Sequence, residues 1–555
     1  MPPATPQLPL PPVPPVAGSH RLRSLLAIVS VLALLLLAAC QDGGESVDMG
    51  EAAEDAGADA GGVGGDEVGG ADEGTVGSPE GEQAAGGVLV AAISGQPDQL
   101  DPHQTSAYAS FQVLENVYDT LVQPDAELEF EPGLATDWEV SEDQLTWTFT
   151  LREGVTFHDG SELTSEDVKF SYDRIIEEEL ANAFRFAAVE EVRAPAPATV
   201  EIQLSRPAPN LLANIGAFKG MSIVPSEFDE TMAAAPVGTG PFRFESFEQG
   251  QSITLSANPE YWGGGPALEG VEFRFIPEPT VALTNLQGGQ VDWTDNVPPQ
   301  EVENLAQTDG VVLGQVASTD YFYFAANQER EPFDDPLVRQ ALAYAFDRDA
   351  VTEAAQFGAA TPNQTAIPEA SAFSFDYSPY SYDPQQARAL LDQAGVGELT
   401  VEMMVTDEYP ETVQAAQVMA SQMAEAGITL EIRTLDFASW LDQQSQGNFD
   451  AFMLSWIGNI DPDDYYYAQH HSTGGFNFQG YANAEVDRLL DAARVEIDDD
   501  ARKELYDQSV QLIVDEASYT YLYNPDVVQA WTDAVQGYET RADSAIRFVD
   551  VSLQR

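Results

Sequence analysis

Cysteine is almost absent: Cys40 is the only one in 555 residues, so no disulfide can form within the chain and its stability rests on buried surface. An oxidising compartment is thereby permitted but not required. Lysine is nearly as scarce, with three against 20 arginines, and these 23 bases face 92 acids for a formal charge of −69. A surface so short of positive charge repels nucleic acid and anionic lipid headgroups, which excludes nucleic acid as a partner. The sequence also contains no zinc-protease helix motif, no serine elbow and no phosphate loop, since Gly62-Val63-Gly64-Gly65 lacks a flanking strand, helix and lysine. No catalytic constellation and no cofactor are expected.

What is present suffices for a large folded body. Hydrophobic residues make up 44% of the chain, and its length calls for two or three lobes rather than one core. The acidity is not confined to a tail. Residues 41–86 carry 13 acids, while residues 87–555 carry 79 acids against 21 bases, a net charge of −58. Such a surface suits a saline habitat, where salt relieves self-repulsion; compositional drift of a genome gives the same pattern.

The N-terminal region reads as an export signal. Arg21 and Arg23 supply a positive flank, Leu25 to Leu37 is apolar apart from Ser30, and Leu37-Ala38-Ala39-Cys40 ends the run. The run is shorter than the ~20 residues of a membrane span. Its ending resembles the bacterial lipobox, which implies that residues 1–39 are removed as a lipoprotein signal peptide and that Cys40 is acylated as the new first residue. Residues 40–86 are then a lipid-anchored tether, rich in Gly, Ala and acids and too poor in apolar side chains to order itself. As a flexible coil it reaches ~35–40 Å.

From Gly87 onward the pattern is that of a folded chain. Val88 to Ile93 reads as a buried strand, and a helix is expected from about Ser106 to Thr120. Thr146 to Leu151 alternates, with Trp147, Phe149 and Leu151 on one face. Thr164 with Asp167 forms a capping box opening a helix, Asp335-Pro336 and Asp383-Pro384 open two more, and Gly395 fits the position past the end of the last. Pro132-Gly133-Leu134-Ala135 through Trp138, Leu151-Arg152-Glu153-Gly154-Val155-Thr156-Phe157-His158-Asp159-Gly160, Gly238-Thr239-Gly240-Pro241-Phe242, Asn258-Pro259-Glu260-Tyr261-Trp262 and Leu286-Gln287-Gly288-Gly289-Gln290-Val291-Asp292 follow in order.

Together these motifs resemble the family 5 extracytoplasmic solute-binding proteins, the peptide, dipeptide and nickel receptors of ABC importers, over about residues 87–555. The resemblance implies an α/β, bilobal periplasmic-binding-protein-like fold (class II) with mixed sheets. Its first lobe is expected in three parts, 87–123, 236–320 and 525–555, with 124–235 as an inserted subdomain and 321–524 as the second lobe. The crossings are expected near Pro236–Gly240 with Asp320–Asn327 and near Tyr523–Asp526, with Tyr321-Phe322-Tyr323-Phe324 as one hinge strand. The protein is then a monomer on the extracytoplasmic face of the membrane, in the periplasm or at the cell surface, delivering a peptide-like ligand to a permease.

The richest stretch for binding is Phe449 to Tyr481, a strand emptying into a loop at Ile457–Asp464. Its aromatics, Trp456, Tyr465, Tyr466, Tyr467, Phe476 and Phe478, are expected to be core as a group, with Trp456 facing ligand. In peptide-binding relatives the resemblance places a carboxylate for the ligand's ammonium in this loop; the matching position here is Asn459. Either Asp461 takes over, or the ligand is neutral at that end. Ser106 and Tyr108 from the first lobe, with Trp456, Gly458, Asn459 and Asp461 from the second, are the candidate contacts. The alternatives are an oligosaccharide or nickel complex as ligand, or an anchored hydrolase using Asp461 and Asp463. His470-His471, His103 and His158 are read as structural rather than metal-binding.

Overall fold

The computed structural model describes residues 86–217, 220–406, 408–456 and 460–554, so Cys40 and the segments expected to be a signal peptide and a tether lie outside the described residues. Among the described residues no helix is long and apolar enough to cross a membrane.

The first half is built on the strand Val88–Ile93, whose apolar run follows from its having both faces covered. Leu89, Ala91 and Ile93 enter one core with Val113, Leu114, Phe273 and Trp293. Ala92 points into a second core with Ala282, Leu286 and Ala530. Val88–Ile93 runs parallel to Gly270–Phe275 on one side and to Trp293–Thr294 on the other. Beyond Gly270–Phe275 the sheet continues antiparallel through Ser252–Ala257 to Phe242–Glu248.

The second half centres on Tyr321–Ala326, buried along its whole length. Its alternation sorts side chains by chemistry. Phe322, Phe324 and Ala326 join an aliphatic core under the helices Pro336–Tyr344, Pro384–Ala394 and Pro410–Met423. Tyr321, Tyr323 and Ala325 join an aromatic core with Tyr466, Tyr506, Tyr519 and Tyr521 on the opposite face. Ala451–Trp456 and Thr520–Thr532 flank the strand, both antiparallel, and Leu399–Thr406 with Ile428–Leu435 extends the sheet in parallel.

One strand belongs to both halves. Within the 13 residues of Thr520–Thr532, Thr520 to Tyr523 pair with Tyr321–Ala326, while Asp526 to Thr532 pair with Val311–Ala317. The other crossing is the short link between Ala317 and Tyr321. Asn524 locks the two crossings together, its Nδ2 donating to the carbonyls of Asp320 and Ala366, each at 2.8 Å. Tyr321–Ala326 itself therefore lies inside the second half, just past the link.

Ala135–Val140, Thr146–Leu151, Thr199–Leu204 and Val189–Ala196 form a separate four-stranded antiparallel sheet in that order, with its own core around Phe149, Val168, Tyr172 and Ile202. The alternation of Thr146–Leu151 is realised, with Trp147, Phe149 and Leu151 buried. The helix Ser165–Glu177 opens on the expected capping box, the Thr164 amide donating to Asp167 Oδ2 at 2.8 Å. Asp335 and Asp383 cap their helices as expected, and Gly395 adopts a left-handed φ of 76°.

Two further expectations need correction. The first helix runs only Tyr108–Leu114, because the carbonyls of Asn116 and Val117 accept the amides of Phe242 and Gly240 instead of continuing the helix. The same pairing keeps Pro236–Gly240 inside the first half, so this segment is not a crossing. Gly238 is obligatory there, since a Cβ on it meets the Val117 carbonyl at 2.0 Å.

Candidate ligand cleft

The strand Ala451–Trp456 ends at the loop singled out by sequence, of which residues 457–459 lie outside the described residues, Gly458 and Asn459 among them. The chain re-emerges at Ile460 and enters the helix Pro462–His470. Asp461 is its N-cap, accepting the Asp463 amide at 2.9 Å, and Pro462 fills the first helical position.

Each of the loop's three aspartates meets an arginine. Asp461 is gripped by Arg502 through two parallel bonds of 2.7 Å, with both side chains almost wholly buried. Asp463 pairs with Arg494 at 3.1 Å; burial pushes its carboxyl up to about 6 against the pull of Arg494, with Asp461 and Asp464 adding to the rise. Asp464 pairs at 3.0 Å with Arg185, which comes from the first half's inserted sheet domain. Asn210 of the same domain donates to Asp463 at 3.4 Å.

Aromatic contacts cross at the same place. Trp456 meets Phe476 edge-on with centroids 4.8 Å apart, and Phe476 meets Phe184 of the first half at 6.4 Å. Trp456, Phe476, Phe478 and Tyr467 are only partly buried, whereas Tyr465 and Tyr466 are core. The structure thus divides the aromatic group: Tyr465 and Tyr466 are core, Trp456, Tyr467 and Phe478 pack against that core, and Phe476 reaches across to the first half.

Ser106 and Tyr108 stand in the first half, where the segment after Val88–Ile93 turns into the helix Tyr108–Leu114. Both are exposed, and the Tyr108 hydroxyl donates to the Ser544 carbonyl at 3.1 Å. Among the described residues no hydrogen bond or ring contact joins Ser106 or Tyr108 to Trp456 or Asp461. Arg185, Arg494 and Arg502 escaped the sequence reading because no motif marks them and their partners lie 31 to 279 residues away.

The four described histidines are absorbed into the scaffold. His470 is fully buried between the Ser518 and Tyr521 hydroxyls, and burial lowers its pKa to about 3. His471 stacks on Tyr467 at 4.5 Å. His103 bonds the Ser222 carbonyl at 2.8 Å and Arg174 at 2.9 Å, and His158 bonds the Gly240 carbonyl at 3.0 Å. Among the described residues no group of three or more His, Cys, Asp or Glu is placed to hold a metal ion. Two cavities lie away from the loop. One of about 690 Å³ sits on the second half beside Arg330, Glu402 and Arg433, and one of about 280 Å³ on the first half beside Asp119, Arg541 and Arg547.

The family model for bacterial extracellular solute-binding proteins, family 5 (middle), matches residues 129–478. The dipeptide-binding protein of Escherichia coli (strain K12) is 28% identical over 508 residues, covering 84% of this chain and 94% of its own. The periplasmic binding protein DppA of Helicobacter pylori, solved with the peptide STSA, superposes with a TM-score of 0.77 at 27% identity, covering 85% of this chain and 98% of its own. AgaA of A. tumefaciens R10, solved with agropinic acid, gives a TM-score of 0.75 at 27% identity, over 84% and 99%.

Proposed function

This chain belongs to the bacterial extracellular solute-binding proteins of family 5, and from that premise we propose that it is the receptor of an ABC importer, capturing a small peptide between its halves and handing it intact to a membrane permease. The observation that carries this reading is the junction at the loop. Arg185–Asp464 and Phe184–Phe476–Trp456 bring the two halves into contact beside the strand end, while the link before Tyr321 and the strand Thr520–Thr532 connect them. A guest touching both halves favours the state in which they meet, and that shift in population is the message to the permease. Main-chain pairing along the cleft would give affinity, with pockets accepting varied side chains.

No bond is made or broken in this scheme. The aspartates that a hydrolase would use are each tied to an arginine, and a general acid and base must instead be free to exchange protons with substrate. The same pairing bears on the ligand: Asp461 is committed to Arg502 and to the helix cap, so the loop's described carboxylates offer no unshared charge to a ligand ammonium.

Anchoring through an acylated Cys40 completes the proposal. Several acyl chains at ~0.8 kcal/mol per buried methylene would hold the protein to the bilayer surface. Metabolic labelling with a lipid precursor should mark the wild type and not Cys40→Ser; labelling of both would remove the anchor from the account. Small-angle scattering during titration with di- to tetrapeptides tests the receptor itself. The profile should contract at saturating peptide, and an unchanged profile with no heat of binding across the series would refute it.

A further inference from the structure

The first half contains a buried acceptor site that no ion pair uses. Asp295 directly follows the strand Trp293–Thr294, whose C-terminal end lies beside that of the parallel strand Val88–Ile93. In open α/β sheets this edge is where ligands bind. From the helix entered after Val88–Ile93, Gln112 donates through Nε2 to Asp295 Oδ2. The other two oxygens of the couple, Asp295 Oδ1 and Gln112 Oε1, are buried and have no hydrogen-bond partner. The Nε2 of Gln529, another buried group without a partner, bonds to neither.

Among the described residues no lysine or arginine contributes to the electrostatics of Asp295. The titratable groups that feel its charge are Tyr108, on the same helix as Gln112, and Tyr538 from the C-terminal region, and both also feel Glu115. Tyr538 donates its hydroxyl to Gln529 and Tyr108 donates its own to the Ser544 carbonyl, so neither proton is directed at Asp295. Burial pushes the Asp295 carboxyl up to about 6, with the Gln112 bond only partly opposing it. A buried carboxylate without a countercharge is costly to keep, and two adjacent acceptors without a donor are incomplete. A primary ammonium supplies both missing elements, three donors and one positive charge.

We propose that Asp295 and Gln112, beside the exposed Tyr108, form the receptor for a primary ammonium group of the ligand, placed in the first half rather than in the loop after Trp456. This rests on the peptide-receptor reading and specifies the ligand as one carrying a free amine. It accounts for a loop whose aspartates are occupied by arginines.

The test uses the full-length protein and an equimolar di- to tetrapeptide library, supplied with free and with Nα-acetylated N-termini, with retention read by native mass spectrometry. The wild type should retain free-amine peptides preferentially, and Asp295→Asn should weaken their binding by ~30-fold or more, so that the preference over acetylated peptides is lost. Retention of acetylated peptides only when they contain lysine assigns the ammonium to a side chain and supports the same site. An unchanged preference in Asp295→Asn overturns the inference and leaves the receptor reading standing. A wild type that retains no peptide of either kind refutes the peptide reading and this inference with it.

A second readout needs no variant. Titration of a retained free-amine peptide in two buffers of different ionisation heat, at about pH 6, should show proton release on binding as the ammonium lowers the Asp295 carboxyl. Absence of any release also overturns the inference.

Discussion

Removing the Arg502 guanidinium should be the most damaging single change at the loop. Its side chain is 3% exposed, that of Asp461 10%, and the two parallel bonds between them are each 2.7 Å. In Arg502→Met the methionine fills part of the space but leaves a buried carboxylate without its cation, which costs about 3–5 kcal/mol. For a cooperative unit the size of the second half, at ~2–4 °C per kcal/mol, this lowers the melting temperature by ~10 °C. Replacing both partners, as in Arg502→Met with Asp461→Leu, removes the stranded charge and should recover much of the loss. It does not recover the helix cap, worth about 1 kcal/mol. Urea unfolding of the two single variants and the double variant, followed by tyrosine fluorescence, gives the coupling directly. A loss below ~1 kcal/mol in Arg502→Met, or simple additivity in the double variant, would refute the argument that this pair fixes the loop.

Asp295→Asn should stabilise the ligand-free protein by up to ~3 kcal/mol at neutral pH, the cost of ionising a carboxyl that burial has raised to about 6. The carboxyl is raised in the fold to about 6, so the wild type loses stability as pH rises from the unfolded value of 3.8 through 6. The gain in melting temperature should therefore be present at pH 8 and absent near pH 4; an equal gain at both would contradict the burial argument. Arg185→Ala removes the ion pair joining the halves, and ligand retention should weaken roughly tenfold with a larger radius of gyration in scattering; unchanged values in both would refute a role for the pair in closure. With a net −58 on residues 87–555, the melting temperature should rise between low and molar salt, and a flat profile would speak against self-repulsion as a cost of the fold.

Local grammar was legible in the sequence wherever cause and effect lie a few residues apart. The capping box of Thr164 and Asp167, the Asp-Pro helix starts and the alternation of Thr146–Leu151 all came through with the geometry expected. The helix after Ser106 did not, because it is cut short by Gly240 and Phe242, more than 120 residues along the chain. The site shows the same divide. Trp456 and Asp461 could be singled out from their places at the end of a strand and in the loop beyond it, but that Asp461 carries a structural ion pair depends on Arg502, which belongs to no motif. Asp295 and Gln112, 183 residues apart, gain their meaning only when two parallel strand ends are set side by side.

The central claim, an unreacted small guest held between two halves, is tested most directly by weighing what the purified protein carries. After incubation with the peptide library and rapid desalting, native mass spectrometry should show a shift equal to one intact peptide per chain, and denaturation should release that peptide at its original mass. A chain that carries nothing, or that leaves cleaved fragments in the library, contradicts the account.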